Sequence, residues 1–356
     1  MSRENQRLFS LELVRAFSTA LILVYHFNIQ LGFHGIGGGP VFIQRLGYEN
    51  AGSLGITLFI ILSGAGLMYS CYDGISLATF YQKRIKSIFP IYYLCYFFTF
   101  LTLFYAYGVL PVNHSPLTFP LTLLGLDGFL YELLPNLYLC GEWFVGFILI
   151  FYLVFPLLRK FVLAANGLTK VCFYLTYAGF YIALTQTNLI QELIPLDATR
   201  NPVLRLPEFL FGMEWAKRER ESKGVKGKRL ALAAGCLFLF LFVTFVPLPT
   251  GHLPVALICG ITSFLMLDAI AGMAEKFSAK KSMRLCVSVI GVISKYSFAV
   301  ILTHHNLIAL LIWKFDLRSD LGSAGLYSLF FCCVVVIAVA SYLLYKLNNK
   351  LLSGGR

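Results

Sequence analysis

The sequence predicts an all-α polytopic membrane protein with about ten transmembrane helices and both termini in the cytoplasm. Three observations support this prediction. Of the 356 residues, 58% are hydrophobic and only 13% are charged. Apolar stretches of about 20 residues, the length that crosses a bilayer as a helix, recur along the whole chain. The lysines and arginines fall between these stretches, with a strong bias to one side of the membrane.

Hydropathy gives the order of the spans, and a short segment between the third and fourth is assigned separately. The ten predicted spans are residues 8–32, 53–71, 87–110, 143–164, 169–188, 203–217, 229–247, 253–272, 287–313 and 323–347. Segment 117–131 contains Pro120 and Gly125 and is too short and interrupted to span, so we expect an outer loop or a re-entrant piece packed on protein. The loops are short, and a single membrane-embedded domain is predicted over residues 1–356.

Charge determines the predicted orientation. With these spans, one side of the membrane holds 22 lysines and arginines, and the other side holds four. Positively charged loops stay in the cytoplasm, which predicts cytoplasmic termini. The net charge of +12 is therefore topological. The basic loop 217–229 is interpreted as an anchor on the inner membrane surface and not as a nucleic-acid site. The nine cysteines include no CxxC pair, so no disulfide framework or zinc site is predicted.

The first span carries two ionisable residues, Arg15 and His26, within LVRAFSTALILVYHFN. Eleven helical steps of about 100° bring both to one face, roughly 16 Å apart along the axis. Charges in hydrocarbon cost about 2.5 kcal/mol or more each, so this pair predicts a functional site. The structural alternative is that Arg15 extends to the inner surface and His26 hydrogen-bonds between helices.

Further polar residues accompany this pair. His304 and His305 lie near the outer end of the ninth span in THHN, and a neutral histidine is the natural general base for a hydroxyl. Glu142 opens the fourth span, where it could orient a histidine, help to bind a sugar, or be a solvated carboxylate. Arg84 and Lys86 precede the third span; they are positive-inside markers or ligands for the phosphates of a cytoplasmic cofactor.

Two pairs of residues have simpler interpretations. Arg205 and Glu208 are three residues apart in VLRLPEFLFG, so they share a helix face and are expected to pair with each other. Ser63 and Gly64, in FIILSGAG, are expected to serve close helix packing rather than chemistry.

Six segments, in order over about residues 9–310, resemble the acyltransferase-3 family of membrane O-acyltransferases. They are the Arg-x10-His pair of the first span, LFIILSGAGL, RIKSIFPIYY, EWFVGFILIFYLVFPLL, RLPEFLFG and ISKYSFAVILTHHNLI. One position departs from the family pattern: the second arginine of its Arg-x-x-Arg motif is replaced by Ser87 after Arg84, where the adjacent Lys86 could substitute as a point charge. No SGNH-type hydrolase domain is recognised, which implies a stand-alone membrane member.

The resemblance implies transfer of an acyl group, commonly acetyl from acetyl-CoA, to a carbohydrate hydroxyl outside a bacterial plasma membrane. The acceptor would be an exopolysaccharide, a cell-wall glycan or a lipid-linked sugar. His26 would be the essential histidine and Arg15 its partner, while Arg84, Lys86 and Arg15 would hold the CoA phosphates. His304 or His305, with Glu142, would orient the base or bind the sugar. No metal is expected, and the partners besides the acceptor would be membrane lipids and not nucleic acid.

Two mechanistic variants and two other functions stay open at this point. A transient acyl-histidine could replace general-base catalysis. A glycan or small-solute transporter or flippase could line its pathway with Arg15 and His26, although no internal repeat supports this. A structural subunit of a polysaccharide-export complex would explain neither buried ionisable residue.

Overall fold

The computed structural model describes most of the chain. The described residues are 3–37, 39–47, 49–108, 116–137, 143–187, 192, 195–221, 229–246, 251–274, 281–314 and 321–354. Within them the protein is almost entirely helical, with one two-stranded antiparallel hairpin, β1 (Arg45–Leu46) and β2 (Glu49–Asn50).

Twelve α-helices lie within the described residues. They are α1 (Arg3–Phe33), α2 (Ala51–Ser70), α3 (Leu77–Tyr107), α4 (Phe119–Leu123), α5 (Asp127–Leu130), α6 (Phe144–Ala164), α7 (Gly167–Gln186), α8 (Leu206–Glu221), α9 (Arg229–Phe245), α10 (His252–Ala274), α11 (Lys281–Lys314) and α12 (Gly322–Gly354). Two short 3-10 helices, Pro116–Thr118 and Ala198–Arg200, precede α4 and α8.

The polytopic prediction is confirmed. Among the described residues, eight helices are long and apolar enough to cross a membrane: α1, α2, α3, α6, α7, α10, α11 and α12. The predicted seventh span contains a shorter apolar helix, Ala231–Phe245, and the predicted sixth corresponds to α8, which has only 16 residues. About 20 residues are needed to cross the hydrocarbon, so α8 is shorter than a typical span.

The helix α3 begins earlier in the chain than the predicted third span. The span was predicted from residue 87, but the helix begins at Leu77 and therefore includes the basic stretch around Arg84 and Lys86. Hydropathy detects the part of a helix that suits lipid, whereas the helix itself continues through polar residues as long as its backbone hydrogen bonds do. Pro90 lies inside α3, as proline can in a membrane helix.

The chain divides into two compact units, which are described separately. The first contains residues 1–21, 45–77 and 150–294, and the second contains residues 22–44, 78–149 and 295–356. Both units are assembled from distant parts of the chain, and α1, α3, α6 and α11 contribute residues to each.

In the first unit, glycines bring α2 and α8 into backbone contact. A Cβ on Gly64 would lie 2.1 Å from the carbonyl oxygen of Phe209, and one on Gly212 would lie 2.0 Å from that of Ile61. Small residues allow membrane helices to approach this closely. The packing role predicted for Gly64 is therefore confirmed, and seven of the 16 residues of α8 are buried.

We expect Gly212→Ala to lower the stability of the first unit, because the added methyl group would overlap a backbone oxygen of α2. Overpacking of this kind costs about 1–3 kcal/mol. Gly66→Ala is the matched control, since Gly66 is also in α2 but has nothing within 4 Å of its Cβ position. Thermal unfolding in detergent should show a lower midpoint for Gly212→Ala alone. Equal midpoints for both variants would contradict the close contact.

In the second unit, segment 117–131 packs on protein as predicted. It forms the short helices α4 and α5. Gly125, between them, has a positive φ of 69° that suits glycine, and its Cβ position lies 3.3 Å from Leu149 and 3.7 Å from Phe89. Leu149 belongs to α6 and Phe89 to α3, so the segment lies against both helices.

Several described cations of the predicted cytoplasmic loops bind protein groups. Arg159 donates from Nε to the carbonyl oxygen of Cys71 at 2.6 Å and from Nη2 to that of Tyr72 at 3.0 Å. Arg220 pairs with Asp73. The two Arg159 hydrogen bonds satisfy carbonyl groups just after the last residue of α2, where the backbone has no partner within the helix. Residues 222–228 of the basic loop lie outside the described residues.

Candidate active site

His26 is held by its neighbours in the outer half of α1. Phe27 and Leu31 are buried in the apolar core of the second unit, together with residues of α11 and α12. Asn28 exchanges two hydrogen bonds with the backbone of Val41, at 3.1 and 2.8 Å, and so fixes the loop after α1. The adjacent His26 side chain is half-buried. Packing on both sides therefore limits the rotation of α1 at this position.

The structure brings His304 and His305 of α11 to His26. Nδ1 of His26 lies 2.7 Å from Nε2 of His304, which is fully buried. The ring centroids of His26 and His305 are 4.0 Å apart. The residues are 278 positions apart in the chain, and only the packing of α11 beside α1 makes them neighbours. The three histidines of the sequence prediction thus form one cluster.

The hydrogen bonds of the cluster determine which nitrogen carries the lone pair. Nδ1 of His304 lies 3.1 Å from the carbonyl oxygen of Val300 and 3.0 Å from that of Ile301. Carbonyl oxygens only accept, so Nδ1 of His304 is protonated and donates. In a neutral imidazole the other nitrogen is then an acceptor, and Nδ1 of His26 must donate to it. The neutral pair therefore places the basic lone pair of His26 on Nε2.

This arrangement suits general-base chemistry. A base is most effective when a second group fixes its orientation and tautomer, as a carboxylate does in a Ser-His-Asp triad. Here His304 plays the part of that carboxylate, and its own ring is fixed by two backbone carbonyl groups. His305 is linked to α1 through Gln30, whose Nε2 lies 3.4 Å from Nδ1 of His305. One ring nitrogen from each histidine could also bind a shared metal ion, because these atoms lie within 4.8 Å of one another.

Arg15 lies in the first unit, in a polar setting of its own. Its Nη1 donates to Oγ of Ser294 at 3.5 Å, and the side chains of Glu12 and Tyr152 interact with it electrostatically. The Arg15 side chain is partly buried among these groups. These partners compensate the charge of Arg15 within the protein. The side chain therefore does not need to extend to the membrane surface.

The structure describes the two cations that were predicted to bind the cofactor, whereas the predicted carboxylate lies outside the described residues. Arg84 and Lys86 both lie on α3 in the second unit; Arg84 is partly buried, 5.6 Å from the Phe80 ring centroid, and Lys86 is exposed. Ser87, which replaces the second family arginine, donates to the Arg84 carbonyl oxygen at 3.0 Å. Glu142 lies outside the described residues.

A second polar cluster occupies the first unit. Arg205 Nη1 lies 3.2 Å from Oε1 of Glu208, which confirms the pairing predicted from their spacing, and Nη2 donates to Oγ1 of Thr57 at 2.7 Å. Both charged side chains are almost completely buried. Glu49, on β2, lies 3.8 Å from His252, and burial raises the pKa of Glu49 to about 7. This cluster ties β2, α2, α8 and α10 together.

Asp127 is a buried carboxylate that the sequence analysis did not single out. It accepts hydrogen bonds from Tyr92, at 2.9 Å, and from Tyr96, and it is 2% exposed. Burial raises the pKa of Asp127, although the hydroxyl groups oppose this shift by stabilising its charge. The signal available in the sequence was an acidic residue within an apolar segment. The partners could not be identified, because they are more than 30 residues away.

The sequence matches the acyltransferase domain family over residues 8–346 of the 356-residue chain. The chain belongs to the acyltransferase-3 family. The match extends from the start of the first predicted span to the end of the last. It therefore covers the three histidines and the buried cluster around Arg205 and Glu208. Comparisons with curated proteins and with solved structures give no match.

Family membership establishes an acyltransferase embedded in the membrane by multiple apolar helices. The resemblance that the six segments indicated is therefore confirmed. The described residues of this acyltransferase include one group of three neighbouring histidines, His26, His304 and His305. A neutral histidine can act as a general base.

Proposed function

We propose that the protein is an O-acyltransferase that moves an acyl group, acetyl as the expected one, from cytoplasmic acyl-CoA to a carbohydrate hydroxyl. The acceptor is a cell-surface or lipid-linked glycan, and the location is a bacterial plasma membrane. The single observation that carries the proposal is the hydrogen-bonded pair of His26, on the outer half of α1, and His304, on α11, in a chain of this family. An intramembrane ionisable group fixed in one tautomer is expensive to maintain without a function.

In the proposed reaction, Nε2 of His26 takes the proton of the acceptor hydroxyl. The oxygen attacks the thioester carbonyl, the new C–O bond forms, and the C–S bond breaks. The departing CoA thiolate receives the proton from His26, so no net proton is released. His304 remains bonded to Val300 and Ile301 and holds the tautomer of His26 throughout. General-base assistance of this type contributes about 10²–10⁴-fold to the rate.

The CoA phosphates are assigned to the inner part of the second unit. Arg84 and Lys86 supply positive charge on α3, and both belong to the same unit as His26. Arginine and lysine bind phosphate through charge-assisted hydrogen bonds. Arg15 is on the half of α1 that we assign to the inner side of the membrane. Its contacts with Ser294 and Glu12 hold the side chain in place.

The function is tested by the O-acetyl content of surface polysaccharide. NMR spectra are compared between cells that express the protein and cells that lack it. We expect O-acetyl signals only with the protein, at a carbohydrate position that the spectra identify. Identical spectra, with the protein confirmed in the membrane, would contradict acetyl transfer to surface glycans. Substrate movement across the membrane without release of CoA would instead favour a transporter.

A further inference from the structure

The three histidines have the composition of a zinc site. Among the described residues, His26, His304 and His305 each offer one ring nitrogen, and the group contains no carboxylate or thiol. Neutral imidazole suits Zn²⁺ and similar borderline metals, whereas Mg²⁺ prefers oxygen ligands. We propose that the cluster binds a zinc-type divalent cation and that this cation inhibits the enzyme. The inhibition, though not the binding, rests on the function proposed above.

One histidine of the cluster, His304, already has the outer contact that a zinc site requires. A histidine that binds zinc through one nitrogen normally donates its other N–H to a carbonyl or carboxylate, which fixes the ring. Nδ1 of His304 makes this contact with Val300 and Ile301, and Nε2 faces His26. Gln30 Nε2 lies 3.4 Å from Nδ1 of His305, and rotation of this amide by 180° would present Oε1 as an acceptor for Nδ1–H. Three histidines leave the fourth tetrahedral position to water or substrate.

Metal binding and the hydrogen bond between His26 and His304 exclude each other. Zinc–nitrogen bonds of about 2.0–2.1 Å in tetrahedral geometry hold two ligand atoms roughly 3.3 Å apart. The present separation of 2.7 Å is that of a hydrogen bond, with a proton between the two nitrogens. The cation must therefore displace this proton from Nδ1 to solvent while the His26 ring takes up one on Nε2, so the ring stays neutral and releases no net proton. The two nitrogen atoms must also move apart by about 0.6 Å.

The exchange removes the catalytic base. When Nδ1 of His26 binds the cation, the neutral ring carries its proton on Nε2. That nitrogen can then no longer accept the proton of an acceptor hydroxyl. The enzyme with bound metal should consequently lose the whole contribution of the general base, about 100-fold or more in turnover. The same residues thus form a catalytic base with its positioning histidine in the absence of the cation, and an inhibitory site in its presence.

Binding is tested first, with Co²⁺ as a spectroscopic probe of the zinc site. The purified full-length protein in detergent is titrated with Co²⁺, and visible absorption reports tetrahedral coordination. We expect one equivalent to bind to the wild type, and the absorption to disappear on addition of Zn²⁺. His305→Ala and His26→Ala should each abolish the signal. His34→Ala is the matched control, because His34 is exposed and is not part of the cluster, and it should bind as the wild type does.

Inhibition is tested next, by CoA release from acetyl-CoA in the presence of acceptor. Zn²⁺ should reduce turnover about 100-fold, a chelator should restore it, and Mg²⁺ at the same concentration should have no effect. Tetrahedral Co²⁺ binding without any acyl transfer would retain the metal site and contradict the proposed function. Acyl transfer that is insensitive to Zn²⁺, or a cobalt signal that survives both histidine variants, would overturn the inference.

Discussion

His26→Ala should lower acyl transfer about 10²–10⁴-fold, because Nε2 of His26 is the proposed proton acceptor. His26→Gln should cause a loss of the same order, although glutamine can still donate a hydrogen bond to Nε2 of His304. The second variant separates the loss of the base from the loss of the contact. Turnover is measured as CoA release from acetyl-CoA, with each purified protein at the same concentration.

Two results decide the outcome of this series. His34→Ala changes an exposed histidine just beyond the end of α1 and should retain wild-type turnover. Thermal unfolding midpoints show whether His26→Gln is folded like the wild type. A folded His26→Gln protein with undiminished turnover would contradict the assignment of His26 as the base.

Arg205→Met should destabilise the protein by about 3–5 kcal/mol, since it leaves a buried carboxylate without its counter-charge. Glu208 is 0% exposed, and neither of its oxygens accepts a hydrogen bond from the described part of the chain. The ion pair with Arg205, at 3.2 Å, is thus its main compensation. A much lower unfolding midpoint in detergent is the expected result.

A double variant and a second ion pair provide the controls. Arg205→Met combined with Glu208→Leu removes both charges, and it should recover most of the loss because a buried pair can be replaced by apolar side chains at little cost. Lys170 and Glu214 form a partly exposed pair at 2.5 Å in the same unit. Lys170→Met should cost about 0–1 kcal/mol. A similar loss of stability in Arg205→Met and Lys170→Met would show that burial of an ion pair does not determine the cost of breaking it.

The general architecture was predictable because hydropathy and charge are local properties. Runs of apolar residues identified the membrane helices, and the short segments around Arg15, Gly64 and Arg205 identified the family. The pairing of Arg205 with Glu208 was also predictable, because residues three apart share a helix face. Helix ends were less accurate, as at Leu77, since helices extend beyond the segment that suits lipid.

The details of the candidate site were not predictable in the same way. The sequence suggested His26, His304 and His305 separately, but it did not specify which histidine would contact which. That choice depends on the packing of α11 beside α1, and the tautomer of His26 depends on two carbonyl groups near His304. The carboxylate of Asp127 was missed for a similar reason, because Tyr92 and Tyr96 reach it only after segment 117–131 folds against α3.

The sequence by itself determined that this chain is a membrane acyltransferase, with an ionisable pair on its first helix. Partition of apolar segments into lipid and the spacing of residues on one helix require no knowledge of the rest of the fold. Tertiary structure decided that α8 packs on α2 through glycine contacts, and that three histidines meet in one cluster. These features arise from contacts between residues far apart in the chain, which form only when the helices pack against one another.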